Sequence, residues 1–331
     1  MVNITIIGAT GAVGEEMISI INERDINIDK IELLASKRSV GKKYIIKDKE
    51  YFVDEYKPEN ILEKSYVLLA TSSELSKLIV PVAMDKNCFI IDNSSAFRNC
   101  SGIPLVIPEI NSKLLNKYTK LIANPNCSTI IMAIVVNKLL KLANIKRIVV
   151  TTMQSASGAG KEAMNELKHQ AHEYVANKKL THKIFKQQYL WNVFPHNSEI
   201  DKGIGYNYEE IKMIKETNKI FGDKVKSISP TCTRVPTLRT HTEILNVTFE
   251  ESKEIFIRQV IDILQTSDDI EFCDDYCDAI MASGKDKVYV SRIRSDPTQS
   301  NTFNIHICGD QLRKGAALNA VQIMEAFLRK N

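Results

Sequence analysis

Short apolar runs alternate with helical patterns over the first 125 residues of the chain. The runs that fit strands are Ile4–Ile7, Ile31–Ala35, Tyr66–Ala70, Cys88–Asp92 and Leu121–Ala123. Helical patterns such as Glu15–Asn22 and Leu75–Asp85 lie between them. This alternation predicts a parallel sheet connected by crossover helices. Because the strand-like runs are continuously apolar, we expect them to be buried on both faces.

The pattern changes after Cys127. A long apolar helix is predicted at Ser128–Leu142, a strand at Arg147–Met153, and polar helices at Lys161–Asn177 and Glu209–Phe221. Four further strands and a final amphipathic helix follow: Lys224–Ser229, Glu243–Phe249, Val288–Arg294, Thr302–Cys308 and Leu312–Leu328. Strands with fewer helices between them are typical of a mixed sheet. The predicted fold class is therefore α/β, a Rossmann-type doubly wound parallel sheet with a second α+β domain that carries a mixed sheet.

Composition narrows the class of protein. The chain has 331 residues, of which 44% are hydrophobic and 25% charged, as in a globular protein of about two domains. The formal net charge of +4 is too small and too evenly spread to indicate a nucleic-acid partner. The most apolar run, Thr129–Val136, is far shorter than the roughly 20 residues of a membrane-spanning helix. With no secretory signal at the N-terminus, the seven cysteines predict reduced thiols in a cytoplasmic protein.

A glycine-rich turn joins the first predicted strand to the first helix. Its spacing is GxxGxxG, with glycines at Gly8, Gly11 and Gly14. Glycines at such a turn let the backbone approach a pyrophosphate, which binds the free N–H groups of the helix N-terminus. The second predicted strand ends without an acid and is followed by Ser36-Lys-Arg-Ser39. Cations and hydroxyls suit a 2′-phosphate, so the sequence favours NADP over NAD.

Cys127 is the strongest candidate for a nucleophile. It stands in Asn124-Pro-Asn-Cys-Ser-Thr129, at the mouth of the apolar helix, where the helix dipole favours a thiolate. A nicotinamide cofactor and an activated cysteine together indicate oxidation or reduction at an aldehyde or acyl carbon. His241 is the best candidate for the acid/base, since its sequence neighbours are polar and charged.

No metal site is expected from the local sequence. Cys273 and Cys277 are four residues apart, but no histidine or third cysteine completes a zinc spacing, so a structural role is favoured. His169 and His172 share a helix face without an acidic third ligand, which favours a solvated surface.

Seven short segments carry a resemblance to a known family. In chain order they are Gly8–Gly14, Asp92–Arg98, Asn124–Thr129, Gln154–Gly160, Glu209–Thr217, Arg234–His241 and Gly309–Asn319. Through them the chain resembles the aspartate-semialdehyde dehydrogenases over nearly its whole length. The resemblance implies reduction of L-aspartyl-4-phosphate by NADPH, through a cysteine thioester, to L-aspartate-4-semialdehyde and phosphate. Such a step feeds lysine, threonine, methionine and diaminopimelate biosynthesis.

The resemblance also implies the catalytic roles. Cys127 would be the acyl-thioester nucleophile and His241 the general acid/base. Gln154 would hold the acyl intermediate in line for hydride transfer. A straight strand from Arg234 to His241 would point these two side chains to opposite faces, so we expect an irregular path at Pro236.

Four residues are implied to bind the substrate. Arg234 would pair with the carboxylate, Arg98 and Lys212 would bind the phosphate, and Glu209 would meet the ammonium. Glu209 and Lys212 are three residues apart on a predicted helix and therefore share a face.

The implied cofactor contacts come from both halves of the chain. They are Gly8, Thr10, Gly11, Ala12, Val13, Arg38, Ser39, Ser72, Ser157, Gly158 and Gln311. Two positions depart from the family pattern. Thr71-Ser-Ser73 replaces the usual Ser/Gly-rich turn, and Gln311 stands where the family usually has Asn near the nicotinamide.

The resemblance implies a homodimer and two domains. Residues 1–126 with a C-terminal helix at 312–331 would bind NADP, and residues 127–311 would serve catalysis and dimerisation. Two alternatives stay open. An N-acetyl-glutamyl-phosphate reductase shares the chemistry but typically has an aromatic residue and proline after its cysteine, where this chain has Ser128 and Thr129. A non-catalytic NADP-binding sensor or scaffold would need the glycine turn but not the four residues Cys127, Gln154, Arg234 and His241.

Overall fold

The chain divides into two units in the computed structural model, which describes residues 1–250 and 254–329. The first unit contains Met1–Asn126 and the chain from Ala316 onward, and the second contains Cys127–Gly315. Among the described residues, no helix combines the length and apolar character needed to cross a membrane.

The first unit contains a seven-stranded sheet. Its strands are β1 (Val2–Ile7), β2 (Ile28–Ala35), β3 (Lys43–Ile46), β4 (Lys49–Glu55), β5 (Tyr66–Leu69), β6 (Phe89–Asp92) and β7 (Leu121–Ala123). The strand order is β3-β4-β2-β1-β5-β6-β7, and every neighbouring pair is parallel except β3 with β4. Chain order thus reverses at β1, the position where doubly wound sheets bind nucleotides.

Four helices complete this unit. They are α1 (Ala12–Glu23), α2 (Ser73–Asp85), the short α3 (Pro108–Asn111) and the C-terminal helix Leu318–Leu328. The apolar side of the C-terminal helix packs in one core with β1 and α1. Polar contacts fix its position, because Asn319 Nδ2 donates to Asn124 Oδ1 at 2.6 Å and Arg24 pairs with Glu325.

The β3–β4 hairpin is the element of this unit that the sequence pattern missed. Lys47 and Asp48 both have positive φ, as a tight two-residue hairpin turn requires. The hairpin forms the edge of the sheet and has many exposed charged residues. Edge strands of this kind look like a loop in a hydropathy pattern.

The second unit contains a mixed seven-stranded sheet. Its strands are β8 (Ile145–Gln154), β9 (Phe194–Pro195), β10 (Ile228–Arg234), β11 (His241–Phe249), β12 (Ile270–Phe272), β13 (Val288–Ser295) and β14 (Thr302–Gly309). The order is β12-β13-β14-β11-β8-β10-β9, with parallel pairs at β12/β13 and β8/β10. Its helices are α4 (Cys127–Leu139), α5 (Lys161–Val175), α6 (Tyr208–Phe221) and α7 (Ile257–Gln265). Apart from Cys127, Asn137 and Lys138, every residue of α4 is buried, so the thiol stands at the open end of a core helix.

Two predicted elements of the second half begin differently in the structure. The strand predicted at Lys224–Ser229 begins only at Ile228, because Gly222–Lys224 forms a 3₁₀ turn. Pro230 is tolerated inside β10 because β9 pairs only with the last two residues of that strand.

The second element is the helix predicted at Leu312–Leu328, which is present but whose first turn is not α-helical. It begins with a π-helical turn, Arg313–Ala317, and becomes α-helical at Leu318. Asp310 Oδ1 accepts hydrogen bonds from the backbone of Leu312 and Arg313 at the start of this turn. The last two residues of the predicted segment 312–331 lie outside the described residues.

Candidate active site

Cys127 and His241 form a thiol–imidazole pair in the second unit. Cys127 Sγ lies 3.3 Å from His241 Nε2, although the two residues are far apart in sequence. Cys127 is the first residue of α4 and His241 the first residue of β11. The thiol is partly exposed, whereas the imidazole is fully buried.

The contacts of the His241 ring define its tautomer. The backbone N–H of Ser155 donates to Nδ1 at 3.1 Å. A backbone N–H can only donate, so Nδ1 is an acceptor and the neutral ring carries its proton on Nε2, facing the sulfur. Burial, and then the nearby Arg234 guanidinium, lower the pKa of His241 to about 3. The ring is therefore neutral near pH 7 and offers the thiol an N–H.

Arg234 is a buried guanidinium held by neutral groups. Nη1 donates to the carbonyl of Ser155 at 2.7 Å, Nη2 donates to Asn197 Oδ1 at 3.3 Å, and Nη2 lies 2.6 Å from His196 Nε2. Burial lowers the pKa of His196 to about 4, so that ring is neutral near pH 7. Within the described part of the chain, no carboxylate forms an ion pair with Arg234, and its Nε has no hydrogen-bond partner. A buried cation without a counter-charge is costly unless a ligand supplies one.

Arg234 and His241 converge on Ser155 because the chain between them is irregular. Arg234 ends β10, His241 begins β11, and the residues between them belong to neither strand. A straight strand would have separated these side chains. The irregular path expected at Pro236 is present in the structure.

Gln154, Glu209 and Lys212 form a second group of side chains. Gln154 Nε2 donates to Glu209 Oε1 at 3.0 Å, and Lys212 Nζ lies 3.1 Å from Glu209 Oε2. Asn207 caps α6 through a capping box with Glu210, which places Glu209 in the first turn of that helix. Gln154 Oε1 is buried without a partner in the described residues, so the amide presents a vacant acceptor. The structure thus brings together all six catalytic and substrate-binding candidates that belong to this unit.

Glu243 is a buried group to which the sequence pattern assigned no role. It lies two residues after His241 in β11 and therefore on the same face of the strand. Both carboxyl oxygens are buried without a hydrogen-bond partner in the described chain, and burial raises its pKa well above the usual range. The alternating burial of β11 was the available signal, since a charged residue occupies an inward position.

Three residues assigned to the cofactor also belong to the second unit. Gly158 lies against Arg234 and His241. A Cβ on Gly158 would come within 3.0 Å of Arg234 Nη1 and 3.3 Å of His241 Cε1. Ser157 is buried and its hydroxyl lies 2.9 Å from that of Ser155. Gln311 is buried, and its Nε2 is a donor without a partner among the residues described.

The glycine turn of the first unit opens onto a cleft of about 470 Å³. Residues from the turn, from the end of β2 and from the loop after β5 line it: Gly8, Thr10, Gly11, Ala35, Ser36, Lys37, Ala70 and Thr71. Gly8 has φ +90°, and a Cβ there would lie 2.3 Å from the carbonyl oxygen of Ala70. Only glycine fits this close approach of two strand ends. The cleft and the start of α1 fit the phosphate-bearing part of a dinucleotide cofactor.

The remaining cofactor candidates surround this cleft unevenly. Ala12 and Val13 begin α1, and Ser39 Oγ lies 3.0 Å from Thr10 Oγ1, which ties the basic turn to the glycine turn. Arg38 is exposed in that basic turn. Ser72 caps α2 by accepting from the backbone of Leu75, while Thr71 rather than Ser72 lines the cleft.

Arg98 lies in the loop after β6 in the first unit. It is 7% exposed, and its Nη2 donates to the carbonyl of Asn93 at 2.7 Å. The motif Asp92–Arg98 is fastened by Ser94 Oγ, which donates to Asp92 at 2.7 Å. These contacts hold the loop at the carboxyl end of a parallel strand, where such sheets bind ligands.

Comparison with known protein families gives one match in each half of the chain. Residues 3–118 match the family model of the semialdehyde dehydrogenase NAD-binding domain, and residues 136–314 match that of the semialdehyde dehydrogenase dimerisation domain. The fold and the site therefore define a semialdehyde dehydrogenase.

Curated relatives narrow the family further. The aspartate-semialdehyde dehydrogenase of Prochlorococcus marinus is 38% identical over 99% of this chain and 96% of its own, and that of Rickettsia bellii is 39% identical over 99% and 98%. The crystal structure of aspartate semialdehyde dehydrogenase II from Vibrio cholerae, complexed with ASA, superposes with a TM-score of 0.93 at 38% identity, covering 99% of this chain and 98% of that one. The chain belongs to the aspartate-semialdehyde dehydrogenase family and is an enzyme of that class. The predicted family and fold class are confirmed.

Proposed function

We propose that the chain reduces L-aspartyl-4-phosphate to L-aspartate-4-semialdehyde and phosphate with NADPH, through a thioester on Cys127. The observation that carries this proposal is the 3.3 Å contact between Cys127 Sγ and the proton-bearing Nε2 of His241. A thiol at a helix N-terminus, facing an N–H donor, is a nucleophile for an acyl carbon.

Substrate recognition follows from the charges around this pair. The buried Arg234 guanidinium offers a two-pronged partner for the α-carboxylate. Glu209 would meet the ammonium, and the vacant Oε1 of Gln154 adds an acceptor beside it. Lys212 and, in the first unit, Arg98 would bind the phosphate. The arrangement suits a ligand that is a zwitterion with an additional anionic end.

The bonds and protons of the proposed reaction balance as follows. The Cys127 thiolate attacks the acyl carbon, the C–S bond forms, and the bond to the phosphate oxygen breaks. The departing phosphate takes the one proton that the overall reaction consumes. NADPH, when bound, would supply the hydride that reduces the thioester carbon. The resulting oxyanion expels the Cys127 thiolate and becomes the aldehyde.

His241 acts in this scheme as a hydrogen-bond donor. Its Nε2–H stabilises the sulfur anion before attack, and it can donate to the oxyanion as that charge develops. Because Nδ1 accepts a hydrogen bond from the Ser155 N–H, a second ring proton would break that bond, so the ring stays neutral at every step of this scheme. In this proposal His241 donates a hydrogen bond and does not transfer a proton, which is less than the general acid/base role expected from the sequence.

NADP is the proposed cofactor. Its pyrophosphate would lie against the start of α1 and the backbone of Gly8, Gly11 and Thr10, and its 2′-phosphate against the basic turn that contains Arg38 and Ser39. In the second unit, Ser157, Gly158 and the orphaned Gln311 donor would hold the nicotinamide end. Ala12, Val13 and Ser72 are the remaining proposed contacts.

A homodimer is the proposed assembly. The second unit matches a dimerisation-domain family model and exposes large apolar side chains on the segments around α5 and β9. They are Tyr174, Val175, Ile184, Trp191, Val193, Ile200 and Ile204. Exposed apolar surface of this extent is typical of a protein interface.

We further propose a cytoplasmic location, where Cys127 stays reduced, and a place in lysine, threonine, methionine and diaminopimelate biosynthesis.

A phosphate-dependent assay tests the proposed reaction in reverse. The enzyme should reduce NADP with aspartate semialdehyde only when phosphate or arsenate is present, and the Cys127→Ser variant should be inactive while it still binds NADP. Phosphate-independent turnover would contradict phosphate as the acyl acceptor, since water would then be cleaving the acyl-enzyme. A preference for N-acetyl-glutamate semialdehyde would favour the alternative reductase.

A further inference from the structure

A second thiol–imidazole cluster lies in the second unit, away from Cys127. It consists of Cys277, His306 and Cys308, whose Sγ, ring nitrogen and Sγ atoms lie within 4.8 Å of one another. Cys277 Sγ is 3.5 Å from His306 Nδ1. In the register of the sheet, Cys308 pairs with Thr242, the residue after His241. The cluster is therefore on the opposite face of β11 from the catalytic imidazole.

The fold builds this cluster from distant parts of the chain. His306 and Cys308 are two residues apart in β14 and so share a face. Ser291, in β13, lies directly opposite His306, and Cys277 comes from the connection between β12 and β13. Local spacing could not reveal it, because the sequence pattern paired Cys277 with Cys273 rather than with a strand downstream.

The donor atoms have the chemistry and the spacing of a zinc site. Thiolates and imidazole are the preferred ligands of Zn²⁺, with Zn–S near 2.3 Å and Zn–N near 2.0–2.1 Å. Tetrahedral angles then put neighbouring S and N ligands about 3.6 Å apart. The 3.5 Å between Cys277 Sγ and His306 Nδ1 matches that edge.

The surroundings support the donors and leave a way in. Cys277 and Cys308 are 2% and 0% exposed, whereas His306 is partly exposed. Ser291 Oγ accepts a hydrogen bond from the Cys277 backbone at 3.1 Å and lies 3.3 Å from Cys277 Sγ, so it positions the segment that carries this thiol. Its 3.3 Å contact with His306 Nδ1 would be replaced by the metal. Outer partners of this kind orient metal ligands.

We propose that Cys277 Sγ, His306 Nδ1 and Cys308 Sγ bind one Zn²⁺, with a water or other small ligand in the fourth position. Binding replaces the two thiol protons, which are released to the buffer. The ion would fasten the connection between β12 and β13 to β14. Further along, that connection is already anchored where Gly284 N donates to Asp310, the carboxylate that also pairs with Arg239 at 2.7 Å. The proposed role is structural and does not depend on the catalytic proposal.

Metal titration of a protein without its catalytic thiol tests the site. Cys127 and His241 are themselves a possible thiol–imidazole ligand pair, so all measurements use the full chain with Cys127→Ser. The protein is kept reduced with a phosphine, stripped of metal and titrated with Co²⁺. We expect one equivalent to give thiolate-to-cobalt charge-transfer bands and the strong d–d absorption of a tetrahedral ion, both removed by one equivalent of Zn²⁺. About two protons should be released on Zn²⁺ binding.

Variants identify the ligands. His306→Gln and Cys308→Ser should each weaken Zn²⁺ binding by at least about 100-fold, because loss of even an outer-shell partner costs 10- to 100-fold. Cys273→Ser is the matched control, since this thiol packs beside the cluster but is not among its donors, and it should bind normally. His306 is partly exposed, so His306→Gln tests the site without removing a core thiol. Absence of stoichiometric binding, or bands that persist unchanged in His306→Gln, would overturn the proposal.

Discussion

The proposed cofactor cleft of the first unit and the proposed catalytic site of the second differ in the residues that form them. The cleft is lined by the turn Gly8–Gly11, by the adjacent strand ends and by two residues of α2. The proposed catalytic site is built from mostly buried side chains that come from α4, α6, β8, β10 and β11. The cleft can therefore be described by a local motif, whereas the catalytic site exists only once the sheet has formed. Substitutions in the first should change cofactor affinity, and substitutions in the second should change turnover.

The largest effect is expected at Cys127. A serine hydroxyl is far less acidic than a thiol, so Cys127→Ser should lower kcat by at least about 10⁴-fold, as loss of a nucleophile does in other enzymes. NADP binding, measured by fluorescence titration, should be unchanged. Cys232→Ser is the matched control, because Cys232 is a buried thiol on β10 outside the pair. Near-normal turnover of Cys127→Ser would contradict the proposal that the Cys127 sulfur is the nucleophile.

His241 should come next. His241→Ala removes the N–H that faces the sulfur and should lower kcat by roughly 10²–10⁴-fold, the range of a positioned acid/base. Alkylation of Cys127 near neutral pH should also slow, because the thiolate loses its donor. His241→Gln discriminates between the two halves of the role: an amide N–H can donate but cannot exchange a proton. We expect the glutamine variant to recover part of the lost rate, and equal rates for the two variants would contradict the donor role.

Arg234 and Arg98 should separate the two ends of the substrate. In the reverse assay, Arg234→Ala should raise the KM for aspartate semialdehyde about 10- to 150-fold, the worth of a lost charge-assisted hydrogen bond. Arg98→Ala should instead raise the KM for phosphate. The control is Arg258→Ala, an exposed arginine on α7 that pairs with Asp262. If Arg234→Ala and Arg98→Ala change the KM for aspartate semialdehyde and the KM for phosphate equally, the two arginines do not bind separate ends of the substrate.

Arg38 tests the proposed cofactor cleft, and its effect is measured as a fold-change in NADP affinity. Arg38→Ala should weaken NADP binding by about 10- to 150-fold and leave NAD binding nearly unchanged, while kcat at saturating NADP stays close to normal. Lys30→Ala, another cation of the first unit, is a suitable control. Equal losses for NADP and NAD would show that Arg38 does not contact the 2′-phosphate.

The smallest effect on turnover is expected at Glu243, whose contribution appears as a pH dependence of stability. Its folded-state pKa is raised above the value of 4.5 expected when unfolded, so the folded protein keeps a proton that the unfolded chain releases above that pH. Wild-type stability should therefore fall relative to Glu243→Gln as pH rises above about 4.5, by up to about 1.4 kcal/mol per pH unit. Thermal melts of both proteins across the pH range measure this difference. Glu210→Gln is the contrasting control, because its two oxygens accept from the backbone of Cys232 and Asn207, and it should be less stable at every pH.

The sequence predicted the first unit better than the second, for a physical reason. Parallel strands buried on both faces give continuous apolar runs, and the glycine turn is local, so both are visible in a hydropathy pattern. The edge hairpin β3–β4 was missed because its charged positions face solvent. In the second unit, the sequence proposed Cys127 and His241 as candidates, but did not predict that Ser155 defines the His241 tautomer or that His196 contacts Arg234. Those contacts join residues that only the sheet register brings together.

Ser155 has a consequence for how this enzyme can be altered. Its carbonyl accepts a hydrogen bond from Arg234, the residue proposed to recognise the substrate carboxylate, and its N–H orients the imidazole of His241, the proposed catalytic residue. Any remodelling of the acid-binding pocket therefore shifts the reactive ring as well. A designer could exchange the cofactor by editing a surface turn, but a new acyl substrate would demand coordinated changes on at least two strands. Laboratory evolution should accordingly reach altered nucleotide preference in single steps and altered acid preference only through combinations.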